Sequence, residues 1–313
     1  MENNKFTILI TTYNRPEKIK RHLMSFESIC WDGLIDCKPT IIIADDLPGG
    51  GLRGLCEEYQ GKLKSFNLMY LERKKRLGQG FNLFYAIKTN IKSGYVWCVG
   101  DDDILFPEQA VDFINNINKN TPDVAVCEFR QGDNYQDGTF FSGKTRIIND
   151  VGVGLELVAR FGKLTSVVFK TPDNKMIQLV ENNFLGCMYE DRPFAVFSYL
   201  CSSEKKLYLK TELTAVGDSD YGLLRYSQRV FVNLNECMNL AIKYCSDYKG
   251  VMYPTLDTNS HDEFRWWINA LYATIKKGSK VRYTKSRFIK EIIIAPEVIY
   301  RKIFSVSKNK WIK

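Results

Sequence analysis

Between residues 5 and 130 the chain alternates short apolar runs with amphipathic stretches. Phe6-Thr7-Ile8-Leu9-Ile10 is a strand-like run, stopped by the polar segment Thr11-Thr12-Tyr13-Asn14-Arg15-Pro16. Ile19, Leu23, Phe26 and Ile29 then recur near helical spacing and predict a helix over residues 17–29. Thr40-Ile41-Ile42-Ile43-Ala44 is a β-branched strand that ends on Asp45-Asp46 and enters the loop Leu47-Pro48-Gly49-Gly50-Gly51. A helix around 52–63, a strand at Phe66–Leu71, a helix from Gly80 to Lys92 and a strand at 95–99 complete the series. Strands spaced about thirty residues apart with helices between them predict βαβ crossovers and a mostly parallel, buried sheet.

After residue 130 the regularity fades. Asp123–Phe129 and Leu164–Lys170 read as strands, and residues 172–183 and 189–202 as helices. Gly132–Gly143 is polar and glycine-rich, a hairpin or loop. Residues 225–246 and 261–277 look helical. No internal repeat or low-complexity tract interrupts the chain.

The chemistry gathers where strands end. Tyr95-Val96-Trp97-Cys98-Val99-Gly100 runs directly into Asp101-Asp102-Asp103, followed by Ile104-Leu105-Phe106-Pro107. Three adjacent carboxylates repel one another, so they need open water or a cation nearby. They read either as a solvated acidic turn before a helix at Pro107, or as oxygen ligands for Mg²⁺ or Mn²⁺ carrying phosphates. Parallel strands bring their C-terminal ends to one edge of a sheet, the edge where open α/β sheets bind ligands. Thr11-Thr12-Tyr13-Asn14, Asp45-Asp46 and Asp101-Asp102-Asp103 should therefore converge. Hydroxyls, an amide and carboxylates together suit a nucleoside diphosphate with its metal. Each cluster by itself is also ordinary loop and capping chemistry.

Taken in order, Thr11-Thr12-Tyr13-Asn14-Arg15, Asp45-Asp46, Arg76-Leu77-Gly78-Gln79-Gly80 and Gly100-Asp101-Asp102-Asp103-Ile104-Leu105-x-Pro107 resemble glycosyltransferase family 2, the inverting enzymes of GT-A type. The resemblance covers residues 5–215. It implies an α/β fold with a Rossmann-like, mostly parallel sheet and helices on both faces, and a reaction that moves a sugar from a nucleotide-diphosphate donor to a hydroxyl. By resemblance, Thr12, Asp45 and Asp46 would contact base and ribose, Thr11, Tyr13, Asn14 and Arg15 would belong to the same donor site, and the aspartates after the fourth strand would be the metal motif. Three aspartates in a row can be set against that motif in two registers. Aligning Ile104-x-Phe106-Pro107 with the family's following segment makes Asp102 the first choice for Mn²⁺ or Mg²⁺, with Asp103 beside it and Asp101 toward the ribose or sugar. Glu190-Asp191, with Pro193 suited to the first turn, is accounted for as acids that complement a helix dipole; the family, however, places its catalytic base as the Asp of a Glu-Asp pair that opens such a helix, which here is Asp191 with Glu190 beside it. Two departures stand out. Leu47-Pro48 replaces the usual Gly-Ser after the first Asp pair, and Arg76 replaces the usual Asn. Arg76 closes the basic run Arg73-Lys74-Lys75-Arg76, which is either a solvated turn or a contact to the diphosphate.

The two histidines add little: His22 reads as a surface residue among basic neighbours, and His261 remains unassigned. Gly78 and Gly80 lack the third glycine and the placement of a dinucleotide fingerprint. The chain has 313 residues, 45% of them apolar and 26% charged, as expected of a globular protein with ample core. Its nine cysteines include no Cys-x-x-Cys pair, and Cys30, Cys98, Cys127 and Cys201 sit among apolar neighbours. They read as reduced, buried thiols of a cytosolic protein, without structural zinc or a signal peptide.

Charge changes the picture at one place. The net charge is +8, yet residues 276–313 alone hold twelve Lys/Arg against Glu291 and Glu297, while the remainder carries 32 basic and 34 acidic groups. Residues 285–304 interleave apolar side chains with Lys and Arg, with Phe288, Tyr300, Phe304 and Trp311 as aromatics. Such a segment lies at an anionic membrane surface or packs on the core with a solvated basic face. No nucleic-acid signature accompanies it. The expected organisation is a GT-A domain over 1–220, divided into a nucleotide-sugar half (1–130) and an acceptor half (131–220), and a helical extension over 221–313 with the basic amphipathic tail. A peripheral membrane enzyme acting on a lipid-linked glycan acceptor in bacterial surface-polysaccharide synthesis follows by analogy with the family. The rival is a catalytically silent protein of the same fold, attached to a membrane or partner by its tail.

Overall fold

In the computed structural model, residues 5–131, 145–149, 158, 164–184, 191–200, 202, 204 and 206–216 are described. Their strands form one nine-stranded sheet. The first half follows the predicted alternation closely: β1 (Phe6–Thr12), α1 (Pro16–Glu27), β2 (Thr40–Asp45), α2 (Arg53–Lys62), β3 (Asn67–Glu72), α3 (Gln79–Asn90) and β4 (Tyr95–Gly100); a short strand that the pattern did not predict, β5 (Ile104–Leu105), precedes α4 (Pro107–Asn120). Then come β6 (Val124–Gln131), β7 (Arg146–Ile148), a short 3-10 turn at Leu164–Ser166, β8 (Val167–Lys170), α5 (Asn174–Phe184), α6 (Asp191–Leu200) and β9 (Leu207–Val216).

The strand order is β3-β2-β1-β4-β8-β6-β9-β5, with β7 paired to β9. β3, β2, β1 and β4 are mutually parallel, in the register Thr12↔Asp45 on one side of β1 and Thr11↔Gly100 on the other. From β1 the chain steps outward twice, through α1 and α2, and then returns through α3 to the far side of β1. Right-handed crossovers put α1 and α2 on one face and α3 on the other. The point where this order reverses lies between β1 and β4. Open sheets bind their ligands there, at the carboxyl ends of the strands.

Apolar packing fixes both faces. Phe6, Ile8 and Ile10 of β1 and Trp97 and Val99 of β4 share one core with Ile19, Leu23 and Phe26 of α1 and Phe113, Ile114 and Ile117 of α4. Trp97 is met edge-on by the rings of Phe26 and Phe113, a favoured aromatic geometry. On the other face, Phe84 of α3 stacks on Phe194 of α6, which in turn stacks on Phe169 of β8. That contact anchors the helix that opens at Asp191 to α3 and β8. β8 runs antiparallel to both β4 and β6, so the second half of the sheet joins the parallel half through a reversed strand.

Several expectations need correction. The strand expected over Leu164–Lys170 begins only at Val167, because Thr165 turns its hydroxyl and carbonyl toward the end of β4. β9 has no clear pattern of its own, and a register shift between Cys127 and Phe129 interrupts its pairing with β6. Cys30 is exposed, whereas Cys56, Cys98 and Cys127 are buried; apolar neighbours in sequence did not make Cys30 a core residue. The expected loop at Gly132–Gly143 and helices at 225–246 and 261–277 lie outside the described residues, as do the extension and its basic tail, with Cys201 and His261. No helix among the described residues is long and apolar enough to cross a membrane.

Candidate functional site

The three polar clusters do meet at the carboxyl edge. Thr12 Oγ1 donates to Asp101 Oδ2 at 2.7 Å across the β1–β4 gap. Arg15, in the turn before α1, places its guanidinium 2.7 Å from Asp101 Oδ1. Burial holds the Asp101 carboxyl above the usual carboxylate range, and the Thr12 and Arg15 bonds act against that shift. Asn14 takes φ 51°, a left-handed conformation that suits Asn, and lets the chain fold over before Pro16 starts α1.

The end of β2 is built inward. Asp45 is wholly buried and accepts from Leu47 N at 3.0 Å, Leu52 N at 3.3 Å and the Tyr70 hydroxyl at 3.0 Å. It therefore closes the glycine loop that leads to α2 and satisfies the backbone N–H of Leu52, the residue that precedes the helix. Burial, together with the Asp45 charge and hydrogen bond, pushes the Tyr70 phenol pKa up. Asp46 accepts from Leu77 N at 2.7 Å and Gly78 N at 2.8 Å, the amides that precede α3. Gly78 has φ 87°, which lets both amides turn back to one carboxylate.

The basic run divides in two. Arg73 Nε donates to Asn82 Oδ1 at 2.7 Å, and Asn82 Nδ2 donates to Ala44 O at 2.7 Å, so Arg73 ties the β3–α3 loop to β2. Arg76 lies at the site instead. Its guanidinium carbon is 4.4 Å from the centre of the Tyr13 ring, and its Nε is 3.9 Å from Asp46 Oδ2. Both Arg76 and Tyr13 are exposed. The pair forms a cation–π stack on the rim of the strand ends.

The acidic turn after β4 separates its three carboxylates. Asp101 faces β1. Asp103 is buried and accepts from the Thr165 hydroxyl, which in turn accepts from Gly100 N at 2.9 Å. Asp103 N closes a tight turn on Gly100 O at 3.2 Å. Asp102 is half-buried and makes no hydrogen bond or ion pair among the described residues. Mg²⁺ and Mn²⁺ carrying phosphates use one or two protein carboxylates and keep their other positions for phosphate and water. No group of three or more His, Cys, Asp or Glu among the described residues could hold a metal. One outward carboxylate fits an ion that arrives with a diphosphate, and does not fit an all-protein cage.

His22 is not a surface residue. It is 1% exposed, with Nε2 3.2 Å from Asp101 O. A carbonyl only accepts, so Nε2 carries the proton and donates. Burial, reinforced by the neighbouring Arg21 charge, pushes the His22 pKa down to about 4, against the pull of the Asp101 and Gly100 carbonyls and the Asp102 charge. Arg21 donates to Asp103 O at 2.8 Å. The α1 spacing held a clue: His22 lies between Ile19 and Leu23, three and one positions from core residues. Thr165 and Asn82 gave no such signal, since their partners lie dozens of residues away in sequence. Asp191 is the first residue of α6, and Glu190 lies outside the described residues.

Comparison with known proteins agrees with this arrangement. The family model described as Glycosyl transferase family 2 matches residues 7–177. Among solved structures, S. aureus TarS 1-349 is similar at a TM-score of 0.56 and 14% identity, over 95% of this chain and 80% of that one. The same protein in complex with UDP-GlcNAc gives 0.51 and 14%, over 85% and 79%. The mannosyltransferase PcManGT from Pyrobaculum calidifontis, in complex with GDP-Man and Mn²⁺, gives 0.54 and 12%, over 97% and 88%. No curated protein matches the sequence. With its family match spanning more than half its length, and a parallel sheet whose polar strand ends converge at the switch point, the chain belongs to glycosyltransferase family 2 and has the GT-A fold.

Proposed function

We propose that this glycosyltransferase is a metal-dependent, inverting enzyme that takes a sugar from a nucleoside diphosphate and passes it to a glycan hydroxyl. The observation that carries the reading is the division of labour at the strand ends. Thr12, Arg15, Asp45, Asp46, Asp101 and Asp103 have protein partners, while Asp102, half-buried between two buried carboxylates, has no hydrogen bond or ion pair among the described residues, and Tyr13 and Arg76 form an exposed stack at the end of the neighbouring strands. Similar structures bound to UDP-GlcNAc and to GDP-Man with Mn²⁺ support a nucleotide-sugar donor and a divalent ion.

Asp102 would hold the ion, which when bound would supply positive charge to the leaving diphosphate. Tyr13 offers its ring to the nucleoside base, and Arg76 brings a cation to the same rim. Asp191 takes the acceptor hydroxyl's proton as its oxygen bonds to the anomeric carbon. The bond from that carbon to the diphosphate oxygen breaks on the opposite side, and the nucleoside diphosphate leaves with the electron pair. In this reading the residues after 220 form the helical extension. Their basic amphipathic tail meets an anionic membrane that presents a lipid-linked acceptor of the surface-polysaccharide kind.

The base assignment is tested with Asp191→Asn. Nucleotide and nucleotide-sugar binding, followed by thermal shift with Mn²⁺, stays near wild type, and transfer falls by about 10³-fold or more. Wild-type transfer by this variant removes Asp191 from the role. A wild-type chain that binds UDP- and GDP-sugars under no metal condition is instead a silent member of the fold.

A further inference from the structure

The acidic turn is held from three sides. On the first side, Thr165 is 1% exposed and bridges the turn through one hydroxyl, donating to Asp103 Oδ2 and accepting from Gly100 N. Its own position is set from the core, where its carbonyl accepts from Trp97 Nε1 at 2.9 Å. On the second, Arg21 and the buried His22 of α1 hold the backbone carbonyls of Asp103 and Asp101. On the third, Gly100 leaves room: a Cβ there would lie 2.9 Å from Asp103 Oδ2 and 3.2 Å from Asp102 Oδ1. The carboxylates of Asp102 and Asp103 thus fold back over the same point of the strand end. With Asp103 drawn down by Thr165, Asp102 takes the outer place.

We propose that Thr165 is a positioning residue for the metal–diphosphate site: its hydroxyl pins Asp103 and the Gly100 amide, and so sets the direction of Asp102. This rests on the reading of Asp102 as the carboxylate that holds the ion. It also gives the acceptor half a part in donor binding. Thr165 lies outside the nucleotide half, and its 3-10 turn leads directly into β8, so displacement of that segment redirects the acidic turn. Groups that orient a metal's ligands without touching the metal typically govern its affinity by 10- to 100-fold.

The test compares Thr165→Val, which keeps the shape and removes the hydroxyl, with Thr165→Ser, which keeps the hydroxyl. Mn²⁺ uptake is read by electron paramagnetic resonance in the presence of UDP, and of GDP in parallel, with thermal unfolding recorded on each variant. Thr165→Val is expected to weaken Mn²⁺ binding by about 10- to 100-fold and metal-free nucleotide binding by less than about twofold, with Thr165→Ser close to wild type. Folded Thr165→Val with wild-type Mn²⁺ affinity overturns the proposal, as does equal weakening in both variants. Should Thr165→Val not fold, Gly100→Ala disturbs the same turn from the other side and must produce the same split between metal and nucleotide binding. Mn²⁺ affinity lost in Asp102→Ala but kept in Thr165→Val rejects the positioning role alone. Failure of the wild type to take up Mn²⁺ with either nucleotide rejects the metal-site reading beneath it.

Discussion

β2 and β4 flank β1 on either side, and both run out into consecutive aspartates, yet the two ends are built for opposite purposes. After β2, the loop through Leu47–Leu52 curls back and the amides before α3 come close, so Asp45 and Asp46 between them accept from four backbone N–H groups and a phenol. After β4 the turn is too tight to return amides to all three carboxylates. Its only internal backbone bond joins Asp103 N to Gly100 O, and the partners for Asp101 and Asp103 come from β1, the Arg15 turn and Thr165. One carboxylate, Asp102, is left facing out. The same residue type thus shapes loops at one strand end and, in the proposed reading, would meet ligand at the other. What separates them is the supply of donors, because a buried carboxylate must be satisfied from within the protein.

The comparison breaks if Asp45 proves dispensable to the fold. Asp45→Ala strands Leu47 N and Leu52 N without an acceptor and should lower the unfolding free energy by about 4 kcal/mol, read from urea unfolding. Next in size is a pH effect from the other strand end. His22 titrates near 6.5 when unfolded and at about 4 when folded, so between these values the unfolded chain binds a proton that the folded chain does not. Its contribution is nil above pH 6.5 and grows to a loss of about 3 kcal/mol as pH falls to 4, at 1.36 kcal/mol per unit. His22→Gln should flatten stability across that window relative to wild type; parallel pH curves would contradict the burial of a neutral His22. The smallest effect belongs to the rim. Arg76→Ala removes one exposed cation and its stack on Tyr13, and should weaken nucleotide-diphosphate binding by about tenfold while changing stability by less than about 1 kcal/mol.

Local pattern made the parallel half legible. The runs Phe6–Ile10, Thr40–Ala44 and Tyr95–Val99 are short, apolar and bounded by polar turns, and their ends converge because parallel strands share an edge. The part of the sheet beyond β4 was less legible because its strands draw their definition from partners: β9 pairs with β5, β6 and β7 and carries a register shift. At the site, residue type located the clusters; the choice of Asp102 within the triplet came from the family resemblance alone. That Asp45 and Asp46 serve the loops was hidden, since nothing in Asp45-Asp46 tells which amides will fold back onto them. Thr165 and His22 were missed for the same reason, because each acts through a contact distant in sequence, a hydroxyl under the turn and an imidazole behind it.

The central claim is that the carboxylate with no protein partner is the one that holds the ion. Titration of Mn²⁺ with UDP or GDP against wild type, Asp102→Ala, Asp101→Asn and Asp103→Asn, followed by electron paramagnetic resonance with thermal unfolding alongside, tests it directly. Asp102→Ala is predicted to lose metal-dependent nucleotide binding by about 10²-fold or more with an unchanged unfolding temperature, since nothing in the fold depends on it. Wild-type Mn²⁺ affinity in Asp102→Ala, with loss confined to the Asp101 or Asp103 variant, would contradict it.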